Sequence, residues 1–308
     1  MTEGLLFATT EEWLKAREKN IGGSEVAALF DVQADYQMSY YTLWQMKSGR
    51  IPAPAVSGER INWGLRLEAC IADGAAIQNH WTIEKGGYVQ HPTVAGMAVS
   101  LDFVVTGYSD PAMEGAKPPG AVECKNVDWM IHKASWSEEP PINLQLQLQA
   151  ALACTGWQWG ALVALVGGNR LATYRYERRP KIILEMEKRV AEFWKSVREE
   201  REPPVDGSDS TAAALAALFP EIAPGSSIDV TGDNEYLDRH AALRQARLDG
   251  KTADAAERAA RNWIMRKIGD AELVYHQGEV IATAKLVTRR AHQVAESKSR
   301  MLKLKGEK

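Results

Sequence analysis

Between residues 60 and 80 the apolar side chains Ile61, Leu65, Ala69, Ala72 and Ala76 recur every three or four positions. That is the period of a helix with one buried face. The same reading predicts a helix over 10–17, where Thr9 or Thr10 can accept from the free N–H groups and Glu11 and Glu12 suit the first turn. A glycine-rich turn, Ile21-Gly22-Gly23-Ser24-Glu25, opens a short helix over 26–30 with Ser24 as its cap, and a further helix over 39–49 closes at Gly49. The rhythm then changes. Runs at 82–90, 98–106 and 121–127 alternate and are rich in valine, which predicts strands, and the last two flank a Gly/Pro-rich loop and so predict a hairpin. The stretch 142–154 alternates Leu and Gln as a strand would. Leu, Gln and Ala are nevertheless good helix formers and no β-branched residue occurs from 143 to 154, so a helix ending at Gly156 is predicted. A second hairpin over 159–166 and 171–176 turns at Gly167-Gly168-Asn169, and a helix over 181–201 stops before Pro203-Pro204.

This order predicts an α/β fold over residues 1–206, a central mixed sheet flanked by helices. A linker with one short apolar helix (211–219) spans 207–231. A C-terminal extension over 232–308 reads as two charged helices (234–248 and 252–268), a hairpin (271–287) and a basic tail, and no repeat of fixed period occurs. The 308 residues are 45% hydrophobic and 25% charged, ordinary for a soluble domain. No apolar run is long enough to span a membrane, and Met1 to Phe7 lack the basic and long apolar segments of a secretory signal, so a cytoplasmic protein is expected. Cys70, Cys124 and Cys154 are too few and too scattered for a disulfide framework or a four-cysteine metal site, and small buried side chains are expected. The net charge of −3 is unevenly spread. From Lys285 onward eight Lys and Arg face two Asp and Glu, which suits either a phosphate-binding arm or a solvated helix end.

Candidate chemistry centres on Val122-Glu123-Cys124-Lys125. On a strand Glu123 and Lys125 share a face, and a hairpin can bring Asp102 beside Glu123. Two carboxylates and an ammonium at a sheet edge suit phosphodiester hydrolysis. Hard oxygens, including the Cys124 carbonyl, can bind magnesium, which lowers the pKa of a water and shields phosphate charge. Lys125 can position or deprotonate that water, or stabilise charge in the transition state. Alone, Glu-x-Lys is also an ordinary surface pair, and Glu68 and Gln147 are ordinary helix-surface residues.

Their joint order changes that. Arg17 precedes Ile21-Gly22-Gly23-Ser24-Glu25-Val26-Ala27. Then follow Met38-Ser39-Tyr40-Tyr41 through Gly49, Gly64-x-x-x-Glu68, Asp102 with Glu123-x-Lys125, and Gln147-x-Gln149 reaching Thr155-Gly156. This series, over about residues 9–206, resembles the YqaJ-type viral recombinases, the lambda exonuclease family of the PD-(D/E)xK nuclease superfamily. The resemblance implies a PD-(D/E)xK (restriction-endonuclease-like) core. It implies a magnesium-dependent 5′-3′ exodeoxyribonuclease, with manganese able to substitute, that leaves 3′ single strands of duplex DNA for recombination. Asp102, Glu123 and the carbonyl of Cys124 would bind the metal and Lys125 would act on the water. Glu68 and Gln147 would complete the site, and Arg17 and Ser24 would contact DNA phosphate, with the 5′-phosphate end as the candidate. It further implies a trimeric ring, a single-strand annealing partner, and a phage or prophage origin in a bacterial cytoplasm. Phe103 stands where the family usually has glycine, and Cys124 where it has an aliphatic residue. Among the ten tryptophans, Trp129 and Trp136 are candidate stacking surfaces or wedges, the others core or interface. An endonuclease on the same scaffold, or a DNA-binding protein without activity, remain open readings at this level. The iron–sulfur nucleases of the superfamily are disfavoured by the cysteine count.

Overall fold

In the computed structural model, residues 7, 9–53, 58–110, 115–136, 138–221, 227–268, 272–277 and 279–283 are described. Strands β1 (Trp81–Lys85), β4 (Phe103–Tyr108), β5 (Gly120–Val127), β6 (Trp159–Val166) and β7 (Arg170–Glu177) form one sheet in the order β1-β4-β5-β6-β7. Only β5 and β6 run parallel, so the sheet is mixed. A parallel neighbour requires a crossover, and here it holds two helices, α5 (Trp129–Ser135) and α6 (Ile142–Thr155). A second, two-stranded sheet pairs β2 (Tyr88–Gln90) with β3 (Ala98–Ser100).

Helix α4 (Glu59–Asn79) covers one face of the large sheet, where Ile71, Ala72 and Ala75 pack on Val105, Val122, Cys124, Ala161 and Val163. Helices α6, α2 (Val26–Leu29) and α7 (Pro180–Arg198) cover the other, with Leu148, Leu152, Leu162, Met186 and Phe193 fully buried. Each such side chain contributes roughly 1.5–3 kcal/mol on leaving water. The alternation along β5 follows from these two cores: Val122 and Cys124 face α4, while Ala121 and Val127 belong to the α6 side. Glu123 and Lys125 are in phase with the latter.

Local rules account for most boundaries. Thr9 and Glu12 form a reciprocal capping box on α1 (Thr10–Glu18), and Ser39 caps α3 (Tyr40–Lys47). Gly156 ends α6 in the left-handed region (φ 75°), its N–H donating to the Leu152 carbonyl at 3.0 Å. Gly167 and Gly168, both at positive φ, make the tight β6–β7 turn. The fold class is the one expected, with differences in detail. The buried face of α4 is Leu67, Ile71 and Ala75 with Ala72, and it leaves Ile61 and Leu65 exposed. Both stripes have helical spacing, and the one with the larger side chains at its centre packs inward. The predicted strand 82–90 is two strands parted at Gly86-Gly87, and 98–106 is likewise two, parted at Leu101-Asp102. Cys124 and Cys154 are buried as expected but Cys70 is exposed.

The chain divides into two compact units, Met1–Pro220 and Glu221–Lys308. The short helix expected in a linker, α8 (Asp209–Leu218), packs on α3 through Tyr41, Ile51 and Ala214. Hydroxyls of Ser39, Thr42, Ser210 and Thr211 bond to one another beneath it. In the second unit the two expected helices are one, α9 (Asn234–Ile268), because a mid-helix glycine such as Gly250 costs only about 1 kcal/mol. Strands β8 (Leu273–His276) and β9 (Glu279–Thr283) form the hairpin that follows. The basic tail from 285 onward lies outside the described residues. Among these, no helix is long and apolar enough to cross a membrane.

Gly86 permits the double strand break. A Cβ there would stand 2.3 Å from the Leu101 carbonyl oxygen and 2.6 Å from the Leu101 Cβ. Gly86→Ala must therefore displace backbone, and such overpacking costs typically ~1–3 kcal/mol. The expected outcome is a Tm lowered by several degrees in a thermal melt, against little change for Gly64→Ala, where nothing lies within 4 Å.

Candidate active site

The chain leaves β3 at Leu101 and enters β4 at Phe103, and Asp102 occupies the joint. Its carbonyl accepts the Gly86 N–H at 3.0 Å, and the Leu101 N–H donates to the Gly87 carbonyl at 3.0 Å. Pairing between β4 and β5 ends at Phe103 and Val122, so the next β5 group directed that way has no strand partner. The Cys124 N–H instead donates to Asp102 Oδ2 at 2.8 Å. The N–H and C=O of one strand residue point to the same neighbour, so the Cys124 carbonyl faces the same gap beside Asp102. Its thiol lies on the opposite face, in the α4 core, as expected from the alternation.

On the α6 side Glu123 is buried and its Oε1 takes two donors, Lys125 Nζ at 2.6 Å and Gln147 Nε2 at 2.5 Å. Lys125 Nζ also donates to Gln147 Oε1 at 3.3 Å. Asp102, Glu123, Lys125 and Gln147 therefore converge, and two carboxylates share one ammonium. Burial, then the Glu123 charge, raises the Asp102 pKa well above its ordinary value, with Lys125 and the Cys124 N–H opposing. For Lys125, burial alone would lower the pKa, but Glu123 and Asp102 outweigh it and keep the ammonium protonated.

A cavity of about 140 Å³ joins this cluster to the N-terminal motif, with Trp13, Arg17, Ser24, Asp102, Glu123 and Gln147 in its wall. The segment 21–25 is stitched beside β3: the Ile21 N–H donates to Gly96 at 2.7 Å, and the Ala98 N–H donates to Ile21 at 3.1 Å. Its Gly23 lies on α6, where a Cβ would approach Gln147 Cγ to 3.3 Å and Val99 to 3.4 Å. Ser24 sits within a 3-10 turn, Gly23–Glu25, and does not cap α2. No side chain caps α2; the Glu25 carboxylate instead closes the 3-10 turn, its Oε2 accepting the Gly22 N–H at 2.7 Å. Arg17 stacks on Trp13 (4.7 Å), and Trp13 Nε1 in turn donates to Ser100 Oγ at 2.9 Å.

Glu68 comes near without joining the cluster. Its charge acts on Asp102, but its hydrogen bond goes to Lys85 Nζ at 3.1 Å, and that ammonium rides on the Phe103 ring at 4.5 Å. Phe103 fills the α4-side core. Trp136 is buried among His132 and Tyr174 and offers no stacking surface, while Trp129 is half exposed. Three contributors had no assigned role from sequence. Glu25 was visible within the motif, while Lys85 and Lys47 carried no signal. Among the described residues, no three His, Cys, Asp or Glu side chains converge as a metal site.

Carboxylates from a strand joint and a Glu-x-Lys strand stand on a mixed sheet flanked by helices, the arrangement that the resemblance to the PD-(D/E)xK nucleases implies. A family model described as the YqaJ-like viral recombinase domain matches residues 12–158, the segment that holds every residue of the cavity and cluster. Residues 12–158 are thus similar to the YqaJ-like viral recombinase domain, as the order of the motifs predicts. The uncharacterized protein YqaJ of Bacillus subtilis (strain 168) is 25% identical over 266 residues, 85% of this chain and 79% of that one. Two crystal structures of the alkaline exonuclease LHK-Exo from Laribacter hongkongensis, one in complex with dAMP, are each 24% identical. Each match covers 62% of this chain and 94% of theirs at a TM-score of 0.49.

The raised Asp102 pKa has a stability consequence. Between the unfolded value near 3.8 and the raised folded value, the folded state holds a proton that the unfolded state has lost, so stability falls as pH rises through that window. Asp102→Asn keeps the acceptor for Cys124 and removes the penalty. In EDTA its Tm should exceed that of the wild type by ~2–4 °C or more at neutral pH, with no gain in acid, where the wild-type carboxyl is protonated in the unfolded state as well. A variant less stable than wild type at neutral pH would mean that the carboxylate is well paired without a cation.

Proposed function

We propose that this chain is a magnesium-dependent exonuclease that hydrolyses duplex DNA from 5′ ends, leaving 3′ single strands for phage-type recombination. The observation that carries the reading is the shared cavity. Asp102 and Glu123 line the same space of about 140 Å³ as Arg17 and Ser24. A hydrolytic cluster this close to a phosphate seat would cut next to a chain end and not within a long duplex.

The donor set fits a hard divalent cation. Two carboxylates share one ammonium, Asp102 is held above its ordinary pKa by burial and by Glu123, and the Cys124 carbonyl faces the gap beside them. Asp102, Glu123 and that carbonyl would hold magnesium, with manganese able to substitute. Bound there, the cation supplies Lewis acidity toward the phosphate and a lower pKa for the attacking water. Lys125, protonated and tied to Glu123 and Gln147, is placed to hold that water and to stabilise charge on the phosphate oxygens. When Asp102 and Glu123 are engaged elsewhere, the attraction that keeps its proton weakens, as a proton acceptor requires. Gln147 fixes Glu123, and Glu68 adds charge beside Asp102. Arg17 would seat the phosphate with Ser24, whose side chain is exposed. The family resemblance adds a trimeric ring around the DNA, a single-strand annealing partner, and a phage or prophage gene expressed in a bacterial cytoplasm. A ring would confine DNA despite the net charge of −3.

The test is digestion of linear duplexes ending in 5′-phosphate or 5′-hydroxyl, with and without magnesium, beside closed circular DNA. Mononucleotides should appear only from linear DNA with the metal, fastest from 5′-phosphate ends. Cutting of closed circles would favour the endonuclease reading. Lys125→Ala should slow cleavage by at least about a hundredfold with DNA binding retained; cleavage at the wild-type rate would remove Lys125 from the site, and unchanged rates in EDTA would remove the metal.

A further inference from the structure

Lys47, in the last turn of α3, is an ionised side chain placed almost wholly inside the protein, with 2% of it exposed. Its Nζ donates to the carbonyls of Arg17 (2.8 Å) and Asn20 (2.7 Å), and it stands 2.9 Å from Glu25 Oε2 and 3.2 Å from Oε1. Glu25, 5% exposed, also takes the Gly22 N–H, so one carboxylate braces the turn that carries Ser24. The Arg17 guanidinium is 3.7 Å from Glu25 Oε1, but it is 26% exposed and lies on the cavity side, stacked on Trp13.

A buried ion pair rarely stabilises a fold more than apolar side chains of the same volume would. Its placement needs another account, and the charges supply one. Lys47 and Glu25 cancel, and the guanidinium of Arg17 is left over, facing the cavity. We infer that Lys47 is a positioning residue for the anion seat: by taking up the charge of Glu25 it keeps Arg17 free for a terminal phosphate. The inference rests on the reading of Arg17 and Ser24 as that seat. Without Lys47, the Glu25 carboxylate would be buried with Arg17 already within 3.7 Å. A guanidinium closes readily on a carboxylate in a two-pronged pair, and the seat would lose its cation to an internal partner.

These charges lead to an unusual ranking of variants. Lys47→Met leaves the trio neutral and should capture Arg17. Lys47→Met combined with Glu25→Gln restores a single positive charge, and the Gln side chain still accepts from Gly22. The readout is fluorescence anisotropy in EDTA, which prevents cleavage, with 3′-labelled blunt duplexes ending in 5′-phosphate or 5′-hydroxyl. The quantity is the ratio of the two dissociation constants, and a melt of each variant accompanies it. Lys47→Met and Arg17→Ala should each lower the phosphate preference, by about tenfold where a charged hydrogen bond is lost. The double variant should recover most of the preference lost by Lys47→Met. If Arg17→Ala loses the preference and Lys47→Met keeps it, the seat stands and the inference falls. If the double variant binds no better than the single, Lys47 acts on folding alone. Should Lys47→Met fail to fold, the double variant decides, since removal of the whole pair leaves no stranded charge. A wild type indifferent to the phosphate would refute the seat and the inference with it.

Discussion

Two carboxylates are held in a mostly dry space with one ammonium beside them, and much of the surrounding structure exists to tolerate that. Asp102 survives there because a strand ends early: β4 stops pairing at Phe103, and the unpaired N–H of Cys124 becomes its hydrogen-bond donor. Glu123 survives because Lys125 and Gln147 both donate to the same oxygen. Each solution needs backbone in a particular place, which explains the glycine at 86 under Leu101 and the glycine at 23 against α6. With both carboxylates ionised the cluster would carry one negative charge more than Lys125 balances, and that excess is what a cation would offset.

The sequence was most legible where chemistry and local geometry coincide. The Glu123-x-Lys125 strand, the α6 helix with its Gly156 stop, and the Gly167-Gly168 turn all follow from short-range rules, and the structure has them. Alternation alone placed Glu123 and Lys125 on one face and the Cys124 thiol on the other. The strand breaks were not legible, because a valine-rich run reads as one strand until a crossing chain interrupts it. Gly86-Gly87 was the available sign. The buried face of α4 was misassigned because two stripes have the same period, and only the sheet beneath selects between them. Ser24 suits a helix cap by type and position, yet it falls inside a 3-10 turn that the Glu25 carboxylate closes on the Gly22 N–H, and α2 begins without a side-chain cap. Lys47 was invisible for a different reason. A charged residue at a helix end is normally solvated, and nothing in one sequence says that three acceptors await it inside.

Phe103 shows how a departure from the usual residue can be absorbed. Its ring fills the α4-side core and gives Lys85 a face to rest on, and Lys85 then engages Glu68. The side chain beside Asp102 thus reaches a third carboxylate through one cation.

The crossover between β5 and β6 also sets the order in which the site can exist during synthesis. Glu123 and Lys125 emerge before Gln147, and β5 lacks its parallel neighbour until Val166 has been made. The 21–25 segment must wait as well, since its partners, Gly96 and Ala98, follow it by more than seventy residues. A nascent chain shorter than about half the protein therefore lacks Gln147 and the parallel neighbour of the carboxylate-bearing strand. The site is complete only when the last of these long-range pairings has closed.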